Sequence, residues 1–73
     1  MAQEAYAREF GRRLKAARKA AGMSRDQLSG VLFVSYSTIE SWELGARQPD
    51  LYTVCKLART LDVSVGYLIA GEE

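Results

Sequence analysis

Apolar residues recur along the chain at the spacing of helices. Between residues 7 and 21 they fall three or four positions apart, as one face of a helix requires, and they are Ala7, Phe10, Leu14, Ala17 and Ala21. Four shorter segments repeat this spacing, built on Leu28, Val31 and Leu32, on Ile39 and Trp42, on Leu51, Val54, Leu57, Ala58 and Leu61, and on Val65, Leu68 and Ile69. No alternating run is long enough for a strand. The pattern therefore predicts an all-α fold of five helices.

Three of these helices are predicted to begin at a serine. Each serine follows one apolar residue and precedes another by four positions, in the segments 23–28, 34–39 and 63–68. A serine there accepts a backbone N–H of the first turn, and the apolar pair packs together as a hydrophobic staple. Gln27 completes a capping box with Ser24. Asp50 is a less regular version of the same N-terminal pattern and is expected to begin the fourth helix. Three glycines are expected to end helices, namely Gly22, Gly45 and Gly71.

The composition narrows the classes of protein. A chain of 73 residues, 48% hydrophobic and 26% charged, is typical of one folded domain. No apolar run approaches the roughly 18 residues of a membrane span, and no signal peptide opens the chain, so we expect a cytoplasmic protein that does not contact membranes. Cys55 is the single cysteine and histidine is absent. These counts exclude a Cys/His zinc site, an internal disulfide and a histidine-based catalytic pair, so we expect no cofactor, no metal and no enzymatic activity.

The charges are unevenly distributed, although the net charge is only +1. Residues 1–31 hold seven basic and three acidic side chains, a net charge of +4. Residues 32–73 hold three basic and six acidic side chains, a net charge of −3. A basic half beside an acidic half favours one face for a polyanion.

The second and third predicted helices are separated only by the stretch around Phe33 and Val34. So short a connection makes two helices cross steeply, as in a helix-turn-helix. Ile39 and Trp42 then form the inward, buried face of the third helix. Its outward face carries Tyr36, Ser37, Glu40, Ser41 and Leu44. Small polar and aromatic side chains at a helix N-terminus suit the edges of DNA bases, and the helix dipole suits phosphate.

Residues 10–69 resemble the Cro and phage-repressor type (XRE-like) helix-turn-helix domains. The resemblance lies in the stretches GMSRDQLSGVLFVSYSTIESWELG and ARQPDLYTVCKLARTLDVSVGYLI, and in the motif Ser41-Trp42-Glu43-x-Gly45 with Pro49-Asp50 downstream. It implies a compact five-helix bundle of the lambda-repressor-like DNA-binding fold. The expected organisation is an N-terminal extension at 1–9 that starts the first helix, the DNA-binding domain at 10–70 and a C-terminal tail at 71–73.

The resemblance also implies roles for individual residues. The positions where the family reads bases are Tyr36, Ser37, Thr38 and Ser41. The positions expected at DNA phosphates are Arg18, Arg25, Ser35, Arg47 and Gln48. Arg18 and Glu43 match an ion pair that ties the first helix to the third. Because the first three helices are committed to the core and to DNA, a dimer interface is expected on the fifth, at Val65, Tyr67 and Ile69, with Tyr67 as an otherwise exposed aromatic.

Two residues depart from the family pattern. Phe33 stands where the family usually has a glycine with positive φ, so either it accepts strain on the order of 1 kcal/mol or the turn takes another path. Ser29 stands where alanine is usual and is expected to bond to the preceding turn.

The sequence thus predicts a bacterial or phage transcriptional regulator, most simply a repressor, that binds an approximately palindromic operator in double-stranded DNA as a weak homodimer. Two alternatives remain open. In the first, the chain is an antitoxin that regulates its own operon and neutralises a toxin partner. In the second, it is a module that binds an effector protein and not DNA.

Overall fold

The computed structural model describes residues 2–72, with side chains from residue 4 onward. It contains five α-helices, Ala2–Ala20 (α1), Arg25–Leu32 (α2), Tyr36–Leu44 (α3), Leu51–Leu61 (α4) and Val65–Ala70 (α5). No residue of this range lies in a strand. The predicted all-α fold is therefore confirmed. Residues 2–9 form the first turns of α1, and the tail expected at 71–73 is described only as far as Glu72.

Helices α2 to α5 begin at the residues that the sequence pattern indicates. At Ser24 the capping box is complete, because Ser24 Oγ accepts from the Gln27 N–H at 3.0 Å and Gln27 Oε1 accepts from the Ser24 N–H at 2.8 Å. The side chains of three further residues accept from the third backbone N–H that follows them, namely Ser35, Asp50 and Ser64. Each such cap contributes about 1 kcal/mol, a large share for a domain of this size.

One hydrophobic core joins all five helices. Its fully buried side chains are Phe10, Leu14, Leu28, Ile39, Leu57 and Leu68, and Trp42 lies against them. Three residues of the predicted apolar stripes lie outside the core, since Ala21 is exposed, Val31 is 50% exposed and Leu51 is 66% exposed. Leu28 and Leu32 already fill the inward face of the short α2, and Leu51 lies in the first turn of α4, at the edge of the core. Apolar spacing alone does not separate the centre of a buried stripe from its edges.

The turn between α2 and α3 has the backbone conformation expected from the family. Phe33 caps α2 with φ 58° and ψ 41°, in the left-handed region, and its side chain is 90% exposed. Ser29 makes the predicted bond to the preceding turn, since its hydroxyl donates to the Asp26 carbonyl at 2.8 Å. The chain therefore keeps the family's turn at the expense of backbone strain at Phe33.

Replacing Phe33 by glycine should leave the protein equally stable or raise its free energy of unfolding by up to about 1 kcal/mol, because glycine adopts positive φ without steric cost. The ring contributes little, since it lies in solvent. Phe33→Ala is the matched control, because it removes the ring but keeps the strain, and its stability should stay close to that of the original chain. Urea unfolding followed by circular dichroism measures both. A clear loss of stability in Phe33→Gly would contradict this description of the turn.

Candidate nucleic-acid interface

Helix α3 presents one face to the core and the opposite face to solvent. Ile39 and Trp42 are buried against the other helices, and a three-residue turn connects α3 to α2, which packs beside it. The outward face has the predicted residues, of which Ser41 is half-buried and the rest are exposed, namely Tyr36, Ser37, Glu40 and Leu44. The surface offered for recognition is therefore a short helical ridge of mostly polar and aromatic side chains, with the exposed Leu44 at its C-terminal end.

Three hydroxyl groups cluster at the N-terminus of α3. Ser35 Oγ accepts from the Thr38 N–H at 3.1 Å and lies 2.9 Å from Thr38 Oγ1 and 3.1 Å from Ser37 Oγ. Because Ser35 caps the helix, its hydroxyl stands where the N-terminal dipole attracts anions. Ser35 and Ser37 are exposed and Thr38 is half-buried. That Ser35 binds a phosphate and that the other two read bases stay predictions.

Arg25 connects the start of α2 to the first residue of α3. Its Nε donates to Glu43 Oε1 at 2.9 Å and its Nη1 donates to the Tyr36 hydroxyl at 3.3 Å. The guanidinium carbon lies 5.9 Å from the centre of the Tyr36 ring, within the range of a cation–π contact. The hydrogen bonds to Tyr36 and to Glu43 raise the pKa of Arg25, so it stays charged. Its side chain is 26% exposed and remains accessible at the edge of α3.

Arg18 and Glu43 form the ion pair that the resemblance implies. Arg18 Nε lies 2.6 Å from Glu43 Oε2, and Arg18 Nη2 lies 3.3 Å from Glu43 Oε1. The third guanidinium nitrogen, Nη1, donates to the Met23 carbonyl at 2.9 Å. The two side chains are 8% and 2% exposed. The phosphate contact expected for Arg18 is thus corrected, because all three of its nitrogens point inward and are occupied.

Arg47 and Gln48 lie in the loop between α3 and α4, and both are exposed. The loop leaves α3 through Gly45, and the backbone N–H of Arg47 donates to the Ser41 carbonyl at 3.3 Å. Their position beside the C-terminal end of α3 leaves both side chains available to a ligand. Their contact with phosphate stays a prediction.

Two residues that sequence reasoning missed hold α3 and α5 against α1. At Gly11 an added Cβ would lie 2.3 Å from the Glu43 carbonyl oxygen and 2.6 Å from the Trp42 carbonyl oxygen, so the two helices touch through backbone there. The position of Gly11 in the middle of a helix could have indicated this contact. A glycine there weakens the helix by roughly 1 kcal/mol, so it is expected where close packing requires it. Arg13 donates to the carbonyls of Leu68 and Ile69 at 3.0 and 2.9 Å. No local pattern indicates contacts so distant in sequence.

The predicted dimer residues are half-buried. Val65, Tyr67 and Ile69 pack their side chains partly against the core. The description of Tyr67 as an exposed aromatic is therefore corrected, because α5 is short and its ring reaches back to the core. The most exposed large apolar side chains lie elsewhere, on Phe33, Leu44, Leu51 and Tyr52.

Among the residues that the structure describes, no three or more acidic, cysteine or histidine side chains come together as metal ligands would. Within the same range, each helix is too short or too polar to cross a membrane.

Comparison with known proteins agrees with this geometry. Residues 14–68 match the family described as helix-turn-helix. A solved structure, the restriction-modification controller protein C.AhdI from Aeromonas hydrophila, is similar with a TM-score of 0.80 and 33% identity, over 88% of this chain and 97% of that protein. The matched region contains α2, α3 and the turn between them.

Two sequence relatives come from Bacillus subtilis (strain 168). The SPbeta prophage-derived uncharacterised HTH-type transcriptional regulator YonR is 36% identical over 62 residues, covering 85% of this chain and 57% of the relative. The uncharacterised HTH-type transcriptional regulator YqaE is 33% identical over 63 residues, covering 86% and 54%. The chain thus spans little more than half the length of these relatives.

Proposed function

Since this chain belongs to the helix-turn-helix family, we propose that it binds double-stranded DNA in a sequence-specific way, with α3 in the major groove, as a transcriptional regulator. The observation that carries the proposal is the outward face of α3. Apart from Leu44 it is polar or aromatic, it is largely exposed to solvent and it has a capped N-terminus, whereas the inward face of the same helix is anchored in the core. An α-helix with its side chains is about 10–12 Å across, which suits a major groove about 12 Å wide.

The side chains around α3 divide into two kinds of contact. Tyr36, Ser37 and Ser41 project hydroxyl groups from the ridge, as direct reading of base edges requires. Arg47 and Gln48 lie at the other end of α3, where donors suit the flanking phosphates. Arg25 has its remaining N–H groups at the edge of the ridge. Recognition by these groups is local to one half-site of a few base pairs.

Selection of one operator needs more contact than one helix supplies, so we propose that two copies bind adjacent half-sites as a weak homodimer. Half-sites one helical turn apart place the two copies about 34 Å from each other. The domain measures 32 × 25 × 21 Å, so neighbouring copies would just meet. So small a contact favours a dimer that DNA stabilises, with α5 and its residues Val65, Tyr67 and Ile69 as the proposed surface. A dimer that occupies a promoter in this way blocks transcription, so we propose that the chain is a repressor that acts in the cytoplasm.

Replacement of Ser41 by alanine tests this division of roles. Ser41→Ala should weaken binding at one or two base positions by about 1–3 kcal/mol each and leave the other positions unchanged. Arg47→Ala is the matched control, because a lost phosphate contact should weaken binding to every sequence by the same factor. Fluorescence anisotropy with duplexes that each carry one changed base pair measures both patterns. Uniform losses in both variants would contradict the placement of α3 against the base edges.

A further inference from the structure

The contact between Arg25 and Tyr36 has only one possible polarity. A guanidinium has N–H donors and no acceptor. The Tyr36 hydroxyl, 3.3 Å from Arg25 Nη1, must therefore accept from Arg25. A phenol has a single proton, which is then left to point away from the guanidinium. Because Tyr36 begins α3 and is exposed on its outward face, that proton is available to a ligand on this side of the helix.

We propose that Arg25 fixes the hydrogen-bond polarity of Tyr36, so that the Tyr36 hydroxyl donates to a base acceptor in the major groove and excludes cytosine at that position. The inference rests on the proposed function and adds to it the chemical class of base that one residue reads. Guanine, adenine and thymine each present an acceptor in the major groove, at N7 or O6, at N7, and at O4. Cytosine presents only its N4 amino group, which is a donor.

The position of Arg25 is fixed well enough to impose this selection. Its Nε donates to Glu43 Oε1 at 2.9 Å, and Glu43 is itself held by the buried Arg18. The guanidinium also lies near the face of the Tyr36 ring. A cytosine amine that approached the same oxygen would bring a second donor beside the guanidinium, whereas a base acceptor would receive a proton polarised by it. Arg25 is thus a positioning residue for specificity.

The test measures the affinity of the chain for four duplexes that differ only at the base read by Tyr36. That position is located with Tyr36→Phe, which removes the hydroxyl and keeps the ring. We expect the original chain to bind the cytosine duplex about fivefold more weakly than the best of the other three, as one neutral hydrogen bond allows. Arg25→Gln should reduce this difference to less than twofold, because a glutamine amide also accepts and lets the hydroxyl reverse. Arg25→Lys should keep it, since an ammonium only donates.

Any other outcome contradicts the inference, and each one identifies a different role for Arg25 or Tyr36. If Arg25→Gln weakens all four duplexes equally and keeps the pattern, Arg25 contacts phosphate and does not orient Tyr36. If it alters preference at a position that Tyr36→Phe leaves unchanged, Arg25 reads a base itself. If the original chain binds DNA selectively but accepts cytosine at the Tyr36 position, the polarity argument fails while the proposed function stands. Absence of selective binding by the original chain contradicts the proposed function, and the inference falls with it. Circular dichroism confirms that each variant is folded.

Discussion

Replacing Glu43 by leucine should lower the free energy of unfolding by about 3–5 kcal/mol, although Glu43 does not lie on the outward face of α3. The reason is the buried guanidinium of Arg18, which loses both carboxylate oxygens and is left charged in the core. Arg25 loses a partner as well, but it is partly exposed and can turn to solvent. Urea unfolding followed by circular dichroism measures the change. For a domain of this size the loss approaches the whole stability.

The matched control removes both buried charges together. Arg18→Met combined with Glu43→Leu should be much more stable than the sum of the two single changes predicts, because neither charge is left without its partner. We expect the coupling in this double-mutant cycle to exceed about 2 kcal/mol. If Glu43→Leu alone costs less than about 1 kcal/mol, Arg18 does not depend on Glu43 and the ion pair does not anchor α3.

Replacing Gly11 by alanine should cost about 3 kcal/mol, at the upper end of what overpacking costs. Alanine is the better helix former, yet its Cβ would lie 2.8 Å or less from three backbone atoms of Trp42 and Glu43. Backbone cannot turn aside as a side chain does, so α3 would have to move away from α1. The same displacement would shift the outward face of α3, and DNA affinity should fall even in the fraction that stays folded. Thermal unfolding and anisotropy measure the two effects.

Gly30 supplies the control for this experiment. It also lies within a helix, but an added Cβ there meets no atom within 4 Å. Gly30→Ala should therefore raise the free energy of unfolding by roughly 0.5–1 kcal/mol through helix propensity alone. Equal effects of the two replacements would mean that α1 and α3 do not touch at Gly11.

Local chemistry made the helices predictable. A cap such as Ser24 with Gln27 involves residues three positions apart, and its pattern is visible in the sequence before any tertiary contact forms. The conformation of Phe33 was predictable through the resemblance, because the helix-turn-helix requires positive φ at that residue whatever its type. Both features are set within a few residues of chain.

Contacts between distant elements were not predictable in the same way. Arg13 reaches the end of α5 across most of the chain, and nothing near residue 13 indicates that partner. The sequence placed Arg25 and Tyr36 at the DNA separately, but their contact depends on how α2 and α3 cross. The phosphate role of Arg18 was wrong for the same reason, since a basic residue of α1 has the same local pattern whether its side chain is buried or exposed.

Selection of bound duplexes from a random pool is the most direct test of the claim that α3 reads DNA. We expect enrichment of a motif with two related half-sites whose centres lie about one helical turn, 10–10.5 base pairs, apart. The same selection with Ser41→Ala should yield the motif with one or two positions degenerate and the half-site spacing unchanged. Recovery of unenriched sequences by the folded original chain would contradict the claim that α3 reads DNA, because its outward face would then carry no sequence preference.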